Sequence, residues 1–379
     1  MMMTTETTPE KAEAPVTPAE EPAKAETAAE TAEEAAAEKP VKKARKPIDP
    51  HAMLTVSTSP HIKSPDTTRS IMIDVLIALL PSFIWGIYLF GFRTLTITLV
   101  SVLAAVGAEA GYQKLTKKPI TILDFSAAVT GVLVAFNMPA SIPLWIPFIG
   151  SVFAIVVVKQ LYGGIGKNFM NPALAARAFL MLAWPSEMTQ TPAPFAKLSP
   201  FAISIAPADI VATATPMQVL KTGNLPDAGL FDLLIGTKSG CFGEVSALLL
   251  IAGGVFLLVR HVISWHIPVS YLLTVGVIAY IFPQTTSLYR WEFVACELIC
   301  GGVMLGAIYM ATDYATCPVT AKGRLLFGFG CGAITMFIRY FGGYNEGVTF
   351  AILIMNTLVW YIDILTKPRR FGGVTKNGK

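Results

Sequence analysis

The chain has 379 residues, of which 53% are hydrophobic and 14% are charged, and its formal net charge is +4. The mean hydropathy is +0.57, and repeated apolar runs are long enough to cross a bilayer core of about 30 Å. This composition excludes an ordinary water-soluble domain, and the small basic excess gives no reason to expect a nucleic-acid partner. We therefore expect an all-α polytopic membrane protein surrounded by lipid.

Residues 1–50 differ from the rest of the chain. They are rich in Ala, Glu, Pro, Thr and Lys, and they contain no aromatic side chain that could seed a core. We expect a disordered cytoplasmic tail. The tail lacks the short apolar core of a signal peptide, so no cleavage is expected.

Ten apolar segments follow the tail, and each is a predicted transmembrane helix. They lie near residues 71–91, 94–113, 124–138, 143–162, 172–184, 243–262, 267–283, 292–311, 324–341 and 348–365. Lysine and arginine concentrate in alternate loops, such as Lys117 and Lys118 after the second segment and Lys322 before the ninth. By the positive-inside rule both termini are cytoplasmic, and the polar stretch after the fifth segment faces outward.

Two of the predicted spans are too short to cross unaided, and the chain also repeats itself. Pro139 and Pro143 interrupt the third segment, and the fifth offers about a dozen apolar residues. The stretch "IVVVKQLYGGIGKN" at 155–168 resembles "ITMFIRYFGGYNEG" at 334–347. Because five crossings reverse the second copy, we expect two inverted five-helix halves with broken helices that build internal sites.

This organisation divides the chain into five parts. They are the tail at 1–50, a first membrane half at 55–184, an extracytoplasmic segment at 185–242, a second membrane half at 243–370 and a cytoplasmic tail at 371–379.

Polar residues cluster at the two Gly-Gly turns. After the first turn, Asn171 and Pro172 resemble a helix start, and Arg177 follows inside a short apolar segment. Such an arginine is costly unless it is paired, so a structural pair with a distant carboxylate and a contact to a ligand stay open as equal alternatives. After the second turn come Asn345 and Glu346. We expect these four polar residues to line an internal site for a polar ligand or an ion.

The outward segment contains "PADIVATATPMQ" at 207–218. Pro216 disfavours the helical region for Thr215 and so holds it extended, with its hydroxyl presented. Small alanines at 212 and 214 leave room around the threonine. The segment therefore offers an attachment point for a phosphate-bearing group that an extracytoplasmic enzyme could reach.

Several long motifs resemble one known family. They are "SPHIKSPDTTRSIMIDVLIALLPS", "TGVLVAFNMP", "KQLYGGIGKNFMNPALAARAFL", "MATDYATCPVT" and "GGYNEGVTFAILIMN". Together they are similar to the D-type subunit of the Rnf electron-transport complex, which is itself a relative of the B-type subunit of the sodium-pumping NADH:quinone reductase. The resemblance covers about residues 55–370.

The resemblance implies a covalent flavin. In this family an outward-facing Asp-x-x-Ser/Thr-Gly-Ala-Thr motif carries FMN through a phosphoester to its last threonine, and the matching positions run from Asp209 to Thr215. Ala212 and Thr213 depart from the family pattern, so Thr213 is a rival acceptor. The resemblance also implies a separate flavin transferase that uses FAD, and it allows a second, noncovalent flavin such as riboflavin.

The resemblance further implies a bacterial cytoplasmic (inner) membrane protein that carries electrons within a complex and contributes to the path of Na⁺ or H⁺. In the family that complex transfers electrons between ferredoxin and NAD, and other subunits, including a second flavin subunit, complete it. This chain contains neither a dinucleotide fingerprint nor iron–sulfur spacing, so we assign it no catalytic or metal-binding residue. Two alternatives stay open: the B-type subunit of the quinone-reducing pump, and a redox-free channel or transporter.

Overall fold

The computed structural model describes residues 66–196, 198–203, 213–226, 228–284 and 290–368. All of them fall in the unit formed by Ser64–Lys379. Asp209, both predicted tails and part of the outward segment lie outside the described residues.

The described residues form helices joined by turns and loops. In chain order the helices are α1 (Thr68–Phe90), α2 (Phe92–Leu115), α3 (Ser126–Phe136), α4 (Trp145–Gln160), α5 (Pro172–Ala183), α6 (Pro185–Thr189), α7 (Pro216–Lys221), α8 (Leu230–Ile235), α9 (Ala247–Val259), α10 (His266–Ile281), α11 (Arg290–Ile299), α12 (Val303–Met310), α13 (Ala321–Phe341) and α14 (Val348–Thr366). The second parts of α4 and α12 are wound as π-helix.

Each of the ten predicted apolar segments coincides with a helix or with the broken pair α11–α12. Within the described chain, however, only α1, α2, α13 and α14 are long and apolar enough to cross a membrane by themselves. The pair α11–α12, bent by 59°, is a fifth candidate span if it is counted as one. The other five apolar helices have 10–17 residues. An all-helical architecture with apolar spans is therefore confirmed, and the number of ten crossings stays a prediction.

The two short helices of the first half end and begin where the sequence predicts. Helix α3 stops at Asn137, ahead of the proline-containing stretch at 138–143. Helix α5 begins at Pro172, and the side chain of Asn171 accepts hydrogen bonds from the amides of Ala173 and Leu174 at 3.0 and 3.3 Å. Asn171 thus satisfies amides that the first helical turn leaves without partners.

Glycine makes the break between α11 and α12 possible. Gly301 has a φ of +72°, and a Cβ there would lie 2.8 Å from Oε1 of Glu346. Only glycine combines that left-handed backbone with so close an approach. The break therefore brings backbone of the second half against a carboxylate near the start of α14.

The helices pack into one core with an apolar outer surface. Helix α2 packs on α3 and α4, α10 packs on α11 and α13, and α5 contacts α14. Large apolar side chains such as Ile84 of α1 and Phe337 of α13 point outward. Such an extensive apolar exterior suits lipid contact.

The two Gly-Gly turns that suggest an internal repeat differ in backbone conformation. Gly163 and Gly164 are both left-handed, with φ of +112° and +95°, whereas Gly342 ends α13 with a φ of −80°. The sequence similarity therefore does not extend to the shape of the turn. The inverted relation of the two halves stays a prediction.

Candidate functional site

Thr215 lies at the amino-terminal cap of α7, and its backbone is extended, with φ −72° and ψ 150°. Its Oγ1 accepts a hydrogen bond from the Gln218 amide at 3.3 Å. The Gln218 side chain accepts one in return from the Thr215 amide at 2.9 Å. The prediction that Pro216 holds Thr215 out of the helix is confirmed, and the reciprocal bonds form a capping box that fixes the threonine.

Helix α7 is attached to the second Gly-Gly turn. The Nζ atom of Lys221 donates hydrogen bonds to the carbonyls of Gly342 and Tyr344 at 2.7 and 2.9 Å. Met217 and Leu220 are buried beneath the helix. This attachment, which we call the Lys221 clamp, holds Thr215 next to the turn that carries Asn345 and Glu346.

Thr215 lines a cavity together with three other residues that the sequence singles out: Arg177, Asn345 and Glu346. Tyr344 and Gln218 also line it. The space between its walls, open mouth included, is about 580 Å³. We call it the Thr215 cavity. The structure thus brings the predicted acceptor and three predicted polar-site residues into one place.

The floor of the Thr215 cavity is a buried ion pair. Nη2 of Arg177 lies 2.8 Å from Oε2 of Glu346, and the two side chains are 6% and 15% exposed. Nη1 of Arg177 donates to Oδ1 of Asn137 at 2.8 Å, where α3 ends. The other carboxylate oxygen of Glu346 accepts from the amide of Gly302 at 3.1 Å, at the break before α12. The pair therefore connects the end of α3 with the break between α11 and α12.

Of the two alternatives for Arg177, the structural pair is observed, and contact with a ligand stays a prediction. The arginine makes a structural pair with a distant carboxylate, and it also faces a cavity that can hold a ligand. Its Nε remains without a hydrogen-bond partner in the described chain.

Glu244 is a cavity residue that sequence reasoning missed. It is buried, its Oε1 accepts from the Cys241 amide at 3.3 Å, and its Oε2 has no partner among the described residues. The signal was a single carboxylate in "CFGEVS", at the start of the sixth apolar segment. Such residues often cap a helix, and here Ser246 caps α9 instead, which leaves the carboxylate free to face the cavity.

Lys238 adds a second buried cation near the Thr215 cavity. Its Nζ donates to the carbonyl of Ile299 at 2.8 Å, at the end of α11. Burial lowers the pKa of Lys238, although nearby Glu244 and Glu346 oppose that shift. The surroundings of the cavity therefore hold charges of both signs.

Asn171 lies in a different cavity from the other predicted site residues. This cavity, with about 850 Å³ between its walls and open mouth, is also lined by Asn168, Lys159 and Asp313. Asn171 donates from Nδ2 to the carbonyl of Met310 at 3.1 Å, and burial raises the pKa of Asp313. We call this second cavity the Asn171 cavity. The four polar residues thus divide between two sites instead of lining one.

The rival acceptor, Thr213, does not line the Thr215 cavity. It is exposed, its amide donates to the carbonyl of Thr191 at 3.2 Å, and its carbonyl accepts from the Thr191 hydroxyl at 3.1 Å. These contacts use its backbone and leave its side chain outside. Of the two threonines, only Thr215 lines this cavity.

The apolar helices and the charged interior define the class of this chain: a helical membrane protein with internal polar sites. A family model confirms the sequence resemblance, because the model of the NQR2, RnfD, RnfE family matches residues 55–372. The chain belongs to that family.

Curated relatives agree with this assignment. The chain is 48% identical over 328 residues to the D-type subunit of the Na(+)-translocating ferredoxin:NAD(+) oxidoreductase complex of Acetobacterium woodii, covering 85% of this chain and 96% of that protein. It is 38% identical over 329 residues to the D-type subunit of the proton-translocating ferredoxin:NAD(+) oxidoreductase complex of Clostridium ljungdahlii, covering 84% and 96%. The D-type subunit of the ion-translocating oxidoreductase complex of Stutzerimonas stutzeri is 39% identical over 329 residues, covering 80% and 91%.

Proposed function

We propose that this chain is the D-type membrane subunit of an ion-translocating ferredoxin:NAD oxidoreductase complex in the bacterial cytoplasmic membrane. It carries electrons within the complex and carries FMN on Thr215 through a phosphoester. The ferredoxin and NADH sites belong to other subunits, one of which holds another flavin. Family membership and the names of the relatives support the assignment to the complex.

One observation carries the flavin proposal: Thr215 lines a cavity whose floor is the Arg177–Glu346 pair. Sites for small molecules combine apolar walls with a few polar groups, and the lining of the Thr215 cavity has both. Tyr344, which is 37% exposed, presents an aromatic ring on which a planar group can stack. These residues fit a flavin attached at Thr215.

Each residue of the cavity has a distinct part in this proposal. Thr215 would anchor the phosphate, Tyr344 would contact the ring, and Arg177 and Asn345 would offer hydrogen-bond donors. When bound, the flavin supplies one- and two-electron transfer, and the protein tunes its potential through nearby charges. The carboxylates of Glu244 and Glu346 favour the more oxidised, less negative form, whereas Arg177 favours the reduced form.

The outward orientation of the Thr215 cavity belongs to the same proposal. A flavin transferase reaches Thr215 only if the segment at 185–242 is extracytoplasmic, and the lysine and arginine distribution supports that side. The cation moved by the complex is Na⁺ or H⁺, since one relative is named for each.

A second, noncovalent flavin such as riboflavin belongs to the proposal through the Asn171 cavity. The wall of this cavity includes apolar side chains such as Val129 and Leu133, and it also includes the polar residues Asn168, Asn171 and Asp313. An apolar slot with a few polar groups is the usual form of a site for a planar heterocycle. Acid treatment of the detergent-extracted protein should release one noncovalent flavin per chain. The Asp313→Asn variant should release less.

Covalent attachment is tested by three variants of the outward segment. Thr215→Val removes the hydroxyl, but it also removes the cap of α7, which costs about 0.5–2 kcal/mol. Thr215→Asn keeps a capping oxygen and lacks the nucleophilic hydroxyl, so it separates flavin loss from cap loss. Thr213→Val is the matched control two residues away.

We expect flavin fluorescence of the denatured protein to vanish in both Thr215 variants and to persist in Thr213→Val. The chains are coexpressed with the flavin transferase, and mass spectrometry of the peptide at 198–221 locates the added group. Fluorescence that follows Thr213 moves the attachment by two residues. A wild-type chain without bound flavin supports a redox-free channel or transporter. NADH turnover that depends on quinone instead of ferredoxin supports the B-type subunit of the quinone-reducing pump.

A further inference from the structure

A cleft lies at the end of the molecule that the positive-inside rule assigns to the cytoplasm. Its walls come from the end of α9, the turn before α10, the loop after α12 and the start of α13. The space between the walls, open mouth included, is about 1150 Å³. It shares Val262, Ile263, Thr312 and Tyr314 with the Asn171 cavity. Neither Thr215 nor Arg177 lines it.

The cleft contains polar atoms that have no hydrogen-bond partner among the described residues. Arg324 donates from Nε to the carbonyl of Pro318 at 3.0 Å, and its two terminal nitrogens have no acceptor among the described residues. The side chains of His261, Ser264 and Tyr314 make no hydrogen bond in the described chain. A guanidinium with two free nitrogens matches the oxygens of a phosphate group.

No acidic side chain lines the cleft within the described residues. The nearest one in sequence, Asp313, turns its carboxylate back to the Ala315 amide at 3.3 Å and to Thr316 at 3.5 Å. Arg260, which precedes His261, is already paired with Asp74 at 3.1 Å. Arg324 is therefore available to an external anion.

The floor and the rim of the cleft suit a lipid. Leu258, Val262 and Ile267 line it, and its polar groups lie at the end of two apolar helices. Trp265 and Tyr314 are 54% and 51% exposed at its rim, and tryptophan and tyrosine favour the level of the lipid headgroups. A free inorganic anion gains nothing from contact with apolar side chains. A phospholipid has both a phosphate that matches Arg324 and acyl chains that match the apolar residues of α9.

We propose that this cleft binds the phosphodiester headgroup of an anionic phospholipid. Arg324 and His261 contact the phosphate, Ser264 and Tyr314 contact the polar headgroup, and the first acyl carbons cover Leu258. Basic clefts between transmembrane helices at the cytoplasmic surface are suited to such headgroups.

Lipid association is measured on the full chain within its complex, in membranes that contain spin-labelled phosphatidylglycerol or spin-labelled phosphatidylcholine. The variants are Arg324→Gln and Lys322→Gln. Lys322 is a matched control, because it is an exposed cation on the same turn of α13 and does not line the cleft. Inorganic phosphate is added as a competitor.

We expect Arg324→Gln to lower the preference for phosphatidylglycerol over phosphatidylcholine at the specific site by about fivefold, the effect of one lost charge contact near the surface. Lys322→Gln should leave it nearly unchanged, and millimolar phosphate should not displace the lipid. Equal losses in both variants, or no loss in either, overturn the proposal. Displacement by phosphate also overturns it, since the cleft is then a site for free anions.

Discussion

At the scale of single residues, the interior contains an arginine that links distant parts of the chain. Arg177 of α5 binds Asn137 at the end of α3 and Glu346 ahead of α14. The pair Arg260–Asp74 offers a contrast within the same protein, because its arginine side chain is 49% exposed. Burial makes the loss of one partner far more costly in the first pair than in the second.

We expect Arg177→Ala to lower the free energy of unfolding by about 3–5 kcal/mol, since it leaves the carboxylate of Glu346 buried without its charge partner. Arg260→Ala should lower it by about 1 kcal/mol or less. Thermal unfolding of both purified variants in detergent makes the comparison. Equal shifts would show that solvent or lipid screens the interior pair.

The Arg177–Glu346 pair also belongs to the proposed function. We expect Glu346→Gln, which keeps size and one hydrogen-bond acceptor, to slow electron transfer through the complex and to shift the flavin potential, whereas Asp74→Asn should do neither. Potentiometric titration of the flavin reads the shift. An unchanged potential in Glu346→Gln means that the pair has only a structural role.

At the scale of helices, short-range chemistry predicted much of what is observed. The start of α5 follows from Asn171 and Pro172, and the extended backbone of Thr215 follows from Pro216. Both depend on residues within three positions, where capping and proline geometry act. The attachment of α7 by Lys221 depends on a contact with distant Gly342, so no local pattern predicted it.

Asn171 tests how much a single cap contributes to a short buried helix. Asn171→Ala should destabilise the fold by about 0.5–2 kcal/mol. Asn171→Ser keeps an oxygen that can accept from the amides of Ala173 and Leu174 and loses the donor to Met310, so its loss should be smaller. Denaturant titration of both variants gives the order, and equal losses in the two variants would show that the bond to Met310 dominates.

At the scale of the whole molecule, the apolar segments were predictable and their partners were not. The predicted segments near 124–138 and 172–184 correspond to α3 and α5, which are too short to cross alone. The polar contacts that hold these short helices in place, such as Arg177–Glu346, join positions 169 apart. A single sequence shows that such polar groups need partners, but it does not identify them. Glu244 was missed for the same reason.

The predicted orientation is tested by two introduced cysteines at exposed positions of the described chain, Ser186 and Lys118. An impermeant maleimide added to intact cells should label Ser186→Cys and spare Lys118→Cys, because the two sites lie on opposite sides if the lysine-rich loops are cytoplasmic. Permeabilised cells should show labelling of both. The reverse pattern in intact cells would place Thr215 on the cytoplasmic side, beyond the reach of an extracytoplasmic transferase.

The interior ion pair also has a consequence for how the protein is made. Arg177 and Glu346 are 169 positions apart, so a ribosome that adds about 5–20 residues per second completes the carboxylate roughly 8–34 s after the arginine. During this interval the nascent first half holds a guanidinium at the membrane without its counter-charge. Among the hydrogen-bond partners of Arg177 described above, only Asn137 has already been synthesised. Biogenesis must therefore keep α5 hydrated, or sheltered by an insertion factor, until Glu346 emerges.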